Sequence, residues 1–365
     1  MNFPGLDPLW SGLHHLGHRL GFIRPWTLDE TRSRLAKGEK VLVVASTALG
    51  DSLLTTPLIE TLAQRLGPGR VSLLVRKSCV DLYRGDPRLH RVFSVRGKYR
   101  WDGLRAELRS DPHRIALLAN ITEPDLVPLL WHAGVRGFLR YATRWTRYPD
   151  WMANRAMLRK AGEPGYASGH AIENNLAMAS ALGIEPFSHR LSLPHLGGTQ
   201  EKREHVVLIH PGASRAIKRW PVENWARLGD ALAEEFGTGI ALTGDARERG
   251  LADEIVRQMK TPAANYAGEW GLRELAEKQA RATAFLSGDT GPYHLALAVG
   301  CPTVTLFAPT DRGSSVEACG PHRADPAFHR AIQTARVGDA IDTISFARVL
   351  AEARDVVGKS LARVG

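Results

Sequence analysis

A rhythm of short apolar runs and helical patterns runs along this chain, breaks once and starts again. Between residues 40 and 120 the runs KVLVVAS, RVSLLVR, RVFSV and RIALLAN are of the buried-strand type. Helical patterns such as LIETLAQRL and WDGLRAELRS stand between some of them. Their alternation predicts a parallel sheet with helices on both faces. Around residues 187 to 203 the composition turns polar, with Gly and Pro, and reads as a linker. The rhythm then resumes with HVVLIHPGA, GIALTGD, ATAFLSGD and PTVTLFAPT. Helical patterns ENWARLGDALAEEF, RGLADEIVRQM, GLRELAEKQAR and GPYHLALAVG follow or separate these, and ISFARVLAEARDVV closes the chain.

The 365 residues accommodate two domains of about 150 each. The expected fold class is α/β, with two Rossmann-like, doubly wound domains facing across a cleft lined by the strand C-terminal ends. Residues 1–39 form an N-terminal extension, 40–195 the first domain and 203–342 the second. Residues 343–365 form the closing helix, and the sequence leaves open that it packs back on the first domain.

The segment VLVVASTALGDSLLTTPLIETLAQRL, 41 to 66, reads as a strand, a tight turn through Gly50 and a helix. Phosphates commonly sit at such a turn, against the helix N-terminus. Here it carries a carboxylate, Asp51, which is suited to capping the helix or to taking a proton.

The second half holds the richest motifs. In FLSGDTGPYHLALAVGCPTVTLFAPT a strand ends at Ser287 and Gly288 gives the backbone freedom to turn. Asp289 or Thr290 can cap the next helix, and Pro292 suits its first turn. The N–H groups of Thr290 and Gly291 and the helix dipole make an anion site suited to a pyrophosphate, within reach of His294. In HPGASRAIKRWPVENWARL the small residues Pro211-Gly212-Ala213 let a ligand approach the backbone. Lys218 is a mobile point charge for phosphate, on a loop fixed by Trp220 and Pro221. In LTGDARERG either Asp245 or Glu248 could accept hydrogen bonds from a ribose.

Together, ALGDSLLTTP, HPGASRAIKRWP, LTGDARER, NYAGEWGLRELAE and SGDTGPYHLALAVGCPTVTLFAPTD resemble glycosyltransferase family nine, from about residue 40 to 321. The best-known members of that family are the ADP-heptose:lipopolysaccharide heptosyltransferases. The resemblance implies a GT-B architecture and an inverting transfer from a nucleotide sugar, with no metal and no cofactor beyond the ADP-linked donor. It makes Asp51 the catalytic base. Ser214, Lys218, Glu248, Asp289, Thr290, Gly291 and His294 become the donor-binding residues. Family members commonly carry Lys or Arg six residues before the aspartate, where this chain has Ala45, and FGPT is FAPT here, with Ala308.

Lys and Arg number 48 against 38 Asp and Glu, a formal net charge of +10, which favours anionic partners. Arginines and aromatics interleave in GVRGFLRYATRWTRYPDWMANRAMLRK, a pattern that suits single-stranded nucleic acid or an anionic glycolipid or membrane. With the donor motifs present, an anionic glycolipid acceptor accounts for the charge, and nucleic acid does not. Cys79, Cys301 and Cys319 lie far apart and imply neither disulfides nor zinc, as expected in a cytoplasmic setting. Leu9, Trp10, Leu13, Leu16 and Leu20 share one face of a short N-terminal helix that packs on the domain or touches lipid. The location this implies is the cytoplasmic face of the inner membrane. A different sugar, a protein acceptor and a non-catalytic nucleotide-sugar-binding module remain alternatives.

Overall fold

The computed structural model describes residues 7–95, 101–120, 126–141, 159–161, 169–197, 204–310 and 314–363. Most of the Arg-rich stretch between 142 and 158 lies outside them, as do the side chains of Leu9 and Trp10. The chain divides into two compact units, Met1–His189 and Arg190–Gly365. The division falls inside the expected linker, and residues from 190 onward join the second unit. Leu193 is fully buried there and its N–H donates to Ala298 O at 2.8 Å.

The first unit opens with helices α1 (Asp7–Arg19) and α2 (Leu28–Ala36), followed by β1 (Val41–Ala45), α3 (Leu49–Leu53) and α4 (Thr56–Leu66). Then come β2 (Val71–Arg76), α5 (Val80–Tyr83), β3 (Arg91–Val95), α6 (Trp101–Ser110), β4 (Ile115–Asn120) and α7 (Leu126–Ala133). Strands β5 (Gly137–Tyr141) and β6 (Arg159–Ala161) and helix α8 (Ala171–Ala181) complete it. The second unit runs β7 (Glu204–His210), α9 (Val222–Phe236), β8 (Gly239–Leu242), α10 (Arg249–Gln258), β9 (Ala263–Asn265) and α11 (Leu272–Arg281). It continues with β10 (Ala282–Gly288), α12 (Gly291–Ala298), β11 (Thr303–Phe307), α13 (Val316–Cys319), β12 (His329–Gln333) and α14 (Phe346–Ala362).

Each unit holds a six-stranded sheet, β3-β2-β1-β4-β5-β6 in the first and β12-β11-β10-β7-β8-β9 in the second. Every pairing in both is parallel. Numbered within its own unit, each sheet reads 3-2-1-4-5-6, the doubly wound order with a switch point between its first and fourth strands. One strand at each switch point is wholly buried: β1 at every position and β10 along all seven residues. Their continuous apolar runs answer to helices covering both sides of the sheet.

The closing helix α14 packs within the second unit. Val349, Ala353, Val356 and Val357 recur at helical spacing and join the core formed by β7, β10, β11 and α9, and Ser360 Oγ donates to Thr283 O at 2.7 Å. That apolar stripe, complementary to its own sheet, fixes its place.

Candidate active site

In doubly wound sheets ligands bind beyond the strand C-terminal ends at the switch point. In the second unit that point lies between β7 and β10, and the sequence puts Ser214 and Lys218 after one and Asp289 to His294 after the other. The loop after β7 ends in a single 3-10 turn, Ala216–Lys218. Arg219 Nε closes it with a hydrogen bond to Ala213 O at 3.0 Å. Trp220, almost fully buried, anchors its far end by donating from Nε1 to Ile344 O at 3.1 Å, stacking on Phe346 and meeting the edge of Trp225. The loop that carries Lys218 is thereby fixed at both ends.

Lys218 Nζ donates to Asp289 Oδ2 at 2.6 Å, and Ser314 Oγ donates to the same oxygen. Burial pushes the Asp289 carboxyl up, but the positive Lys218 and His294 and the hydrogen bonds from Lys218 and Ser314 outweigh it. The group is held below the usual carboxylate range. The other oxygen, Oδ1, lies 4.0 Å from Cys319 Sγ. Gly288 owes its place to space rather than to a special φ, because a Cβ there would come within 3.0 Å of the Lys218 carbonyl oxygen. This corrects the expectation of backbone freedom: the glycine lets two loops close on each other.

Thr290 is the N-cap of α12 by backbone, yet its side chain makes no capping bond. Its Oγ1 is buried with no hydrogen-bond partner, at the mouth of a helix whose first turn holds Gly291 and Pro292. A buried donor left unmade costs about 1–3 kcal/mol, so such a group points to a ligand oxygen. The Tyr293 hydroxyl is likewise buried and unpartnered, and burial with the charges of Cys319 and Asp289 pushes its ionisation well up. His294 is buried beside it, its ring 4.7 Å from that of Tyr293.

Glu248 sits directly under the β7 loop. A Cβ on Gly212 would lie 2.0 Å from Glu248 Oε1, so the space expected for a ligand is taken by this carboxylate. Glu248 Oε2 also accepts the Asp245 N–H at 2.9 Å and lies 3.8 Å from His210 Nε2. Burial lowers the His210 basicity, and nearby Glu248 and Asp245 partly restore it. Asp245, by contrast, is engaged by the Arg247 guanidinium in its own exposed loop. Of the two candidate acids, Glu248 is the one brought to the β7 end. Ser214 lies in the same loop with its side chain exposed.

Sequence reasoning missed Ser314, Cys319, His210 and the stacked pair Tyr266 and Trp270, whose centroids are 4.4 Å apart. Their segment crosses the end of β8, with Gly268 N–H donating to Gly244 O at 2.9 Å. The motif NYAGEWG marked the segment, but nothing marked the stacking. Asp289, His294 and Cys319 bring a carboxylate oxygen, an imidazole nitrogen and a thiol within 4.8 Å of one another, a donor set open to a transition metal. The Lys218 ammonium already on Asp289 competes with any such ion.

In the first unit Asp51 follows β1 at the corresponding switch point. The turn is made by residues 46 to 48, and Gly50 lies inside α3 rather than at the turn. Asp51 is the third residue of that helix. Its Oδ2 accepts the Thr47 hydroxyl at 2.6 Å and the Ala48 N–H at 3.3 Å, so it does cap the helix, with one oxygen only. Buried polar bonds brace its neighbours: Tyr83 OH donates to Ser52 Oγ at 3.1 Å and Asn175 Nδ2 to Leu54 O at 2.9 Å. Ala45 is buried in β1 and offers no charge. Arg76, at the end of the neighbouring β2, donates from Nε to Ser46 O at 2.9 Å and brings a guanidinium to the same turn.

The model of glycosyltransferase family 9 (heptosyltransferase) matches residues 158–320. Lipopolysaccharide heptosyltransferase 3 of Escherichia coli K12 is 26% identical over 286 residues, 72% of this chain and 80% of that protein. Lipopolysaccharide heptosyltransferase 1 of Pseudomonas aeruginosa is 27% identical over 298 residues, 75% of this chain and 80% of that protein. Among solved structures, E. coli ADP-heptose lps heptosyltransferase II superposes with a TM-score of 0.68 at 20% identity, over 88% of this chain and 99% of that one. The fold is therefore of the GT-B type, and the chain is a glycosyltransferase, similar to family 9 over residues 158–320 and to the lipopolysaccharide heptosyltransferases over about three quarters of its length.

Proposed function

We propose that this glycosyltransferase moves a heptose from ADP-heptose to a lipopolysaccharide core-type glycolipid, with inversion and without a metal. The Lys218–Asp289 pair carries the reading: a half-buried ammonium held at 2.6 Å from a buried carboxylate, beside the open N-terminus of α12. That arrangement suits a diphosphate, whose negative charge meets the ammonium, the unpartnered Thr290 hydroxyl and the helix dipole together. Glu248 is the acceptor for the ribose hydroxyls, and Ser214, Gly291 and His294 complete the donor site. The donor's identity rests on the heptosyltransferase relatives.

In the transfer, the acceptor oxygen attacks the anomeric carbon from the side opposite the diphosphate. The new C–O bond forms as the bond to the diphosphate oxygen breaks, and that electron pair leaves with ADP. The acceptor proton goes to the oxygen of Asp51 that does not cap α3. Lys218 and the α12 N-terminus stabilise the charge that develops on the departing diphosphate. One displacement gives inversion. An anionic glycolipid acceptor also accounts for the net charge of +10 and for work at a cytoplasmic membrane face.

The test is to incubate the protein with ADP-, GDP- and UDP-sugars, with and without lipopolysaccharide core acceptor, in EDTA. Acceptor-dependent release of ADP from ADP-heptose is the expected result. Saturable donor binding with no acceptor-dependent release would leave a binding module in its place, and release that stops in EDTA would contradict metal independence.

A further inference from the structure

From residue 12 onward, helix α1 turns leucines to solvent. Leu13, Leu16 and Leu20 follow one another at three- and four-residue spacing, and their exposures are 56%, 51% and 61%. Phe22, just beyond, is 82% exposed. These are four of the six large exposed hydrophobics among the described residues. The side facing the protein carries His14, which is 4% exposed and meets the ring edges of Trp131 and His132 at about 6 Å. A surface helix ordinarily buries its apolar stripe and shows its polar one. Here three leucines face solvent while His14 is buried.

The display is held in place. Gly21, with φ +81, ends the helix, and its N–H donates to His18 O at 3.0 Å. The chain then folds back, with Ile23 N–H donating to Gly17 O at 3.1 Å and His18 Nδ1 bonded to Ile23 O at 2.9 Å. Trp26 N–H ties the segment to Arg136 O at 2.9 Å. Phe22 thus stands at the tip of a hydrogen-bonded turn.

The surroundings are cationic. Arg19 and Arg24 are exposed on the same segment. Burial and the positive charges of Arg105, Arg109 and Arg136 lower the basicity of His132, the ring beside His14. Apolar side chains flanked by guanidinium groups match an interface where acyl chains begin below anionic headgroups.

We propose that the face formed by Leu13, Leu16, Leu20 and Phe22, rimmed by Arg19 and Arg24, docks the protein on an anionic lipid surface. The leucines and the phenylalanine enter the headgroup boundary, and the arginines hold the phosphates. This rests on the face alone and stands whether or not the donor is ADP-heptose.

The test is co-sedimentation with vesicles of phosphatidylglycerol and phosphatidylethanolamine, compared with phosphatidylcholine, using the full chain. The wild type is expected to bind the anionic vesicles and to release in high salt. The variant Leu16→Gln/Leu20→Gln/Phe22→Gln should lose about tenfold or more of that binding. Because those side chains are exposed, its Tm and its transfer to a soluble, deacylated acceptor should not change. Equal binding of variant and wild type, or equal binding to neutral vesicles, overturns the proposal. So does a wild-type dimer in sedimentation velocity that the variant abolishes, since the face would then belong to a second copy.

Discussion

The two sheets share one strand order and one switch point, yet the turns at those points carry different groups: a carboxylate with no ammonium bonded to it among the described residues in the first, and a carboxylate paired with an ammonium in the second. After β1 the first turn of α3 holds the carboxylate of Asp51, with a single oxygen spent on Thr47 and Ala48. After β7 and β10 the second unit holds an ammonium, an unpartnered Thr290 hydroxyl and the N-terminus of α12. In the proposed function the same backbone frame serves anion binding in one copy and proton removal in the other. What decides is the side chain seated at the helix start.

The difference can be broken from either side. Asp51→Asn keeps an oxygen for Thr47 and Ala48, so Tm should hold while kcat falls by about 10²–10⁴, the usual worth of a general base, as steady-state kinetics would measure. Lys218→Met leaves the Asp289 carboxylate buried without its ammonium. Chemical denaturation should register a loss of about 3–5 kcal/mol, and calorimetry a loss of ADP binding.

pH sharpens the same contrast. Asp289 has its pKa depressed in the folded state, so the stability its ionised form contributes is complete above the ordinary carboxylate pKa of about 4. That stability is lost as pH falls through the lower folded value. The Tm difference between wild type and Asp289→Asn should therefore be constant near neutrality and shrink only under strongly acidic conditions.

The smallest effect belongs to Glu248→Gln, which keeps the shape under Gly212 and weakens the charged hydrogen bond proposed to ribose. The donor KM should rise about tenfold, equivalent to roughly 1–1.5 kcal/mol, with kcat little changed. An equal loss in kcat would move Glu248 from binding to chemistry.

The central strands were legible because burial on both faces leaves continuous apolar runs, as in VLVVA of β1 and ATAFLSG of β10. Of the four edge strands only β3, RVFSV, was legible. RKA of β6, AAN of β9 and HRAIQ of β12 are short or half-exposed and acquire strand structure from the neighbour they pair with. In the site, Lys218 and Asp289 stood out through motif and turn chemistry. Ser314 and Cys319 did not, since only the fold brings them to Asp289. Gly212 and Gly288 were read as freedom for a ligand or a turn, whereas each makes room for a group far along the chain, Glu248 and the Lys218 carbonyl. Local sequence records conformational need and is silent about who moves in.

The most direct measurement titrates ADP calorimetrically into wild type, Asp51→Asn and Lys218→Met, alongside acceptor-dependent turnover of each. The account predicts an unchanged ADP Kd with collapsed turnover for Asp51→Asn, and lost ADP binding for Lys218→Met. Normal turnover by Asp51→Asn, or ADP affinity that survives Lys218→Met, would contradict it.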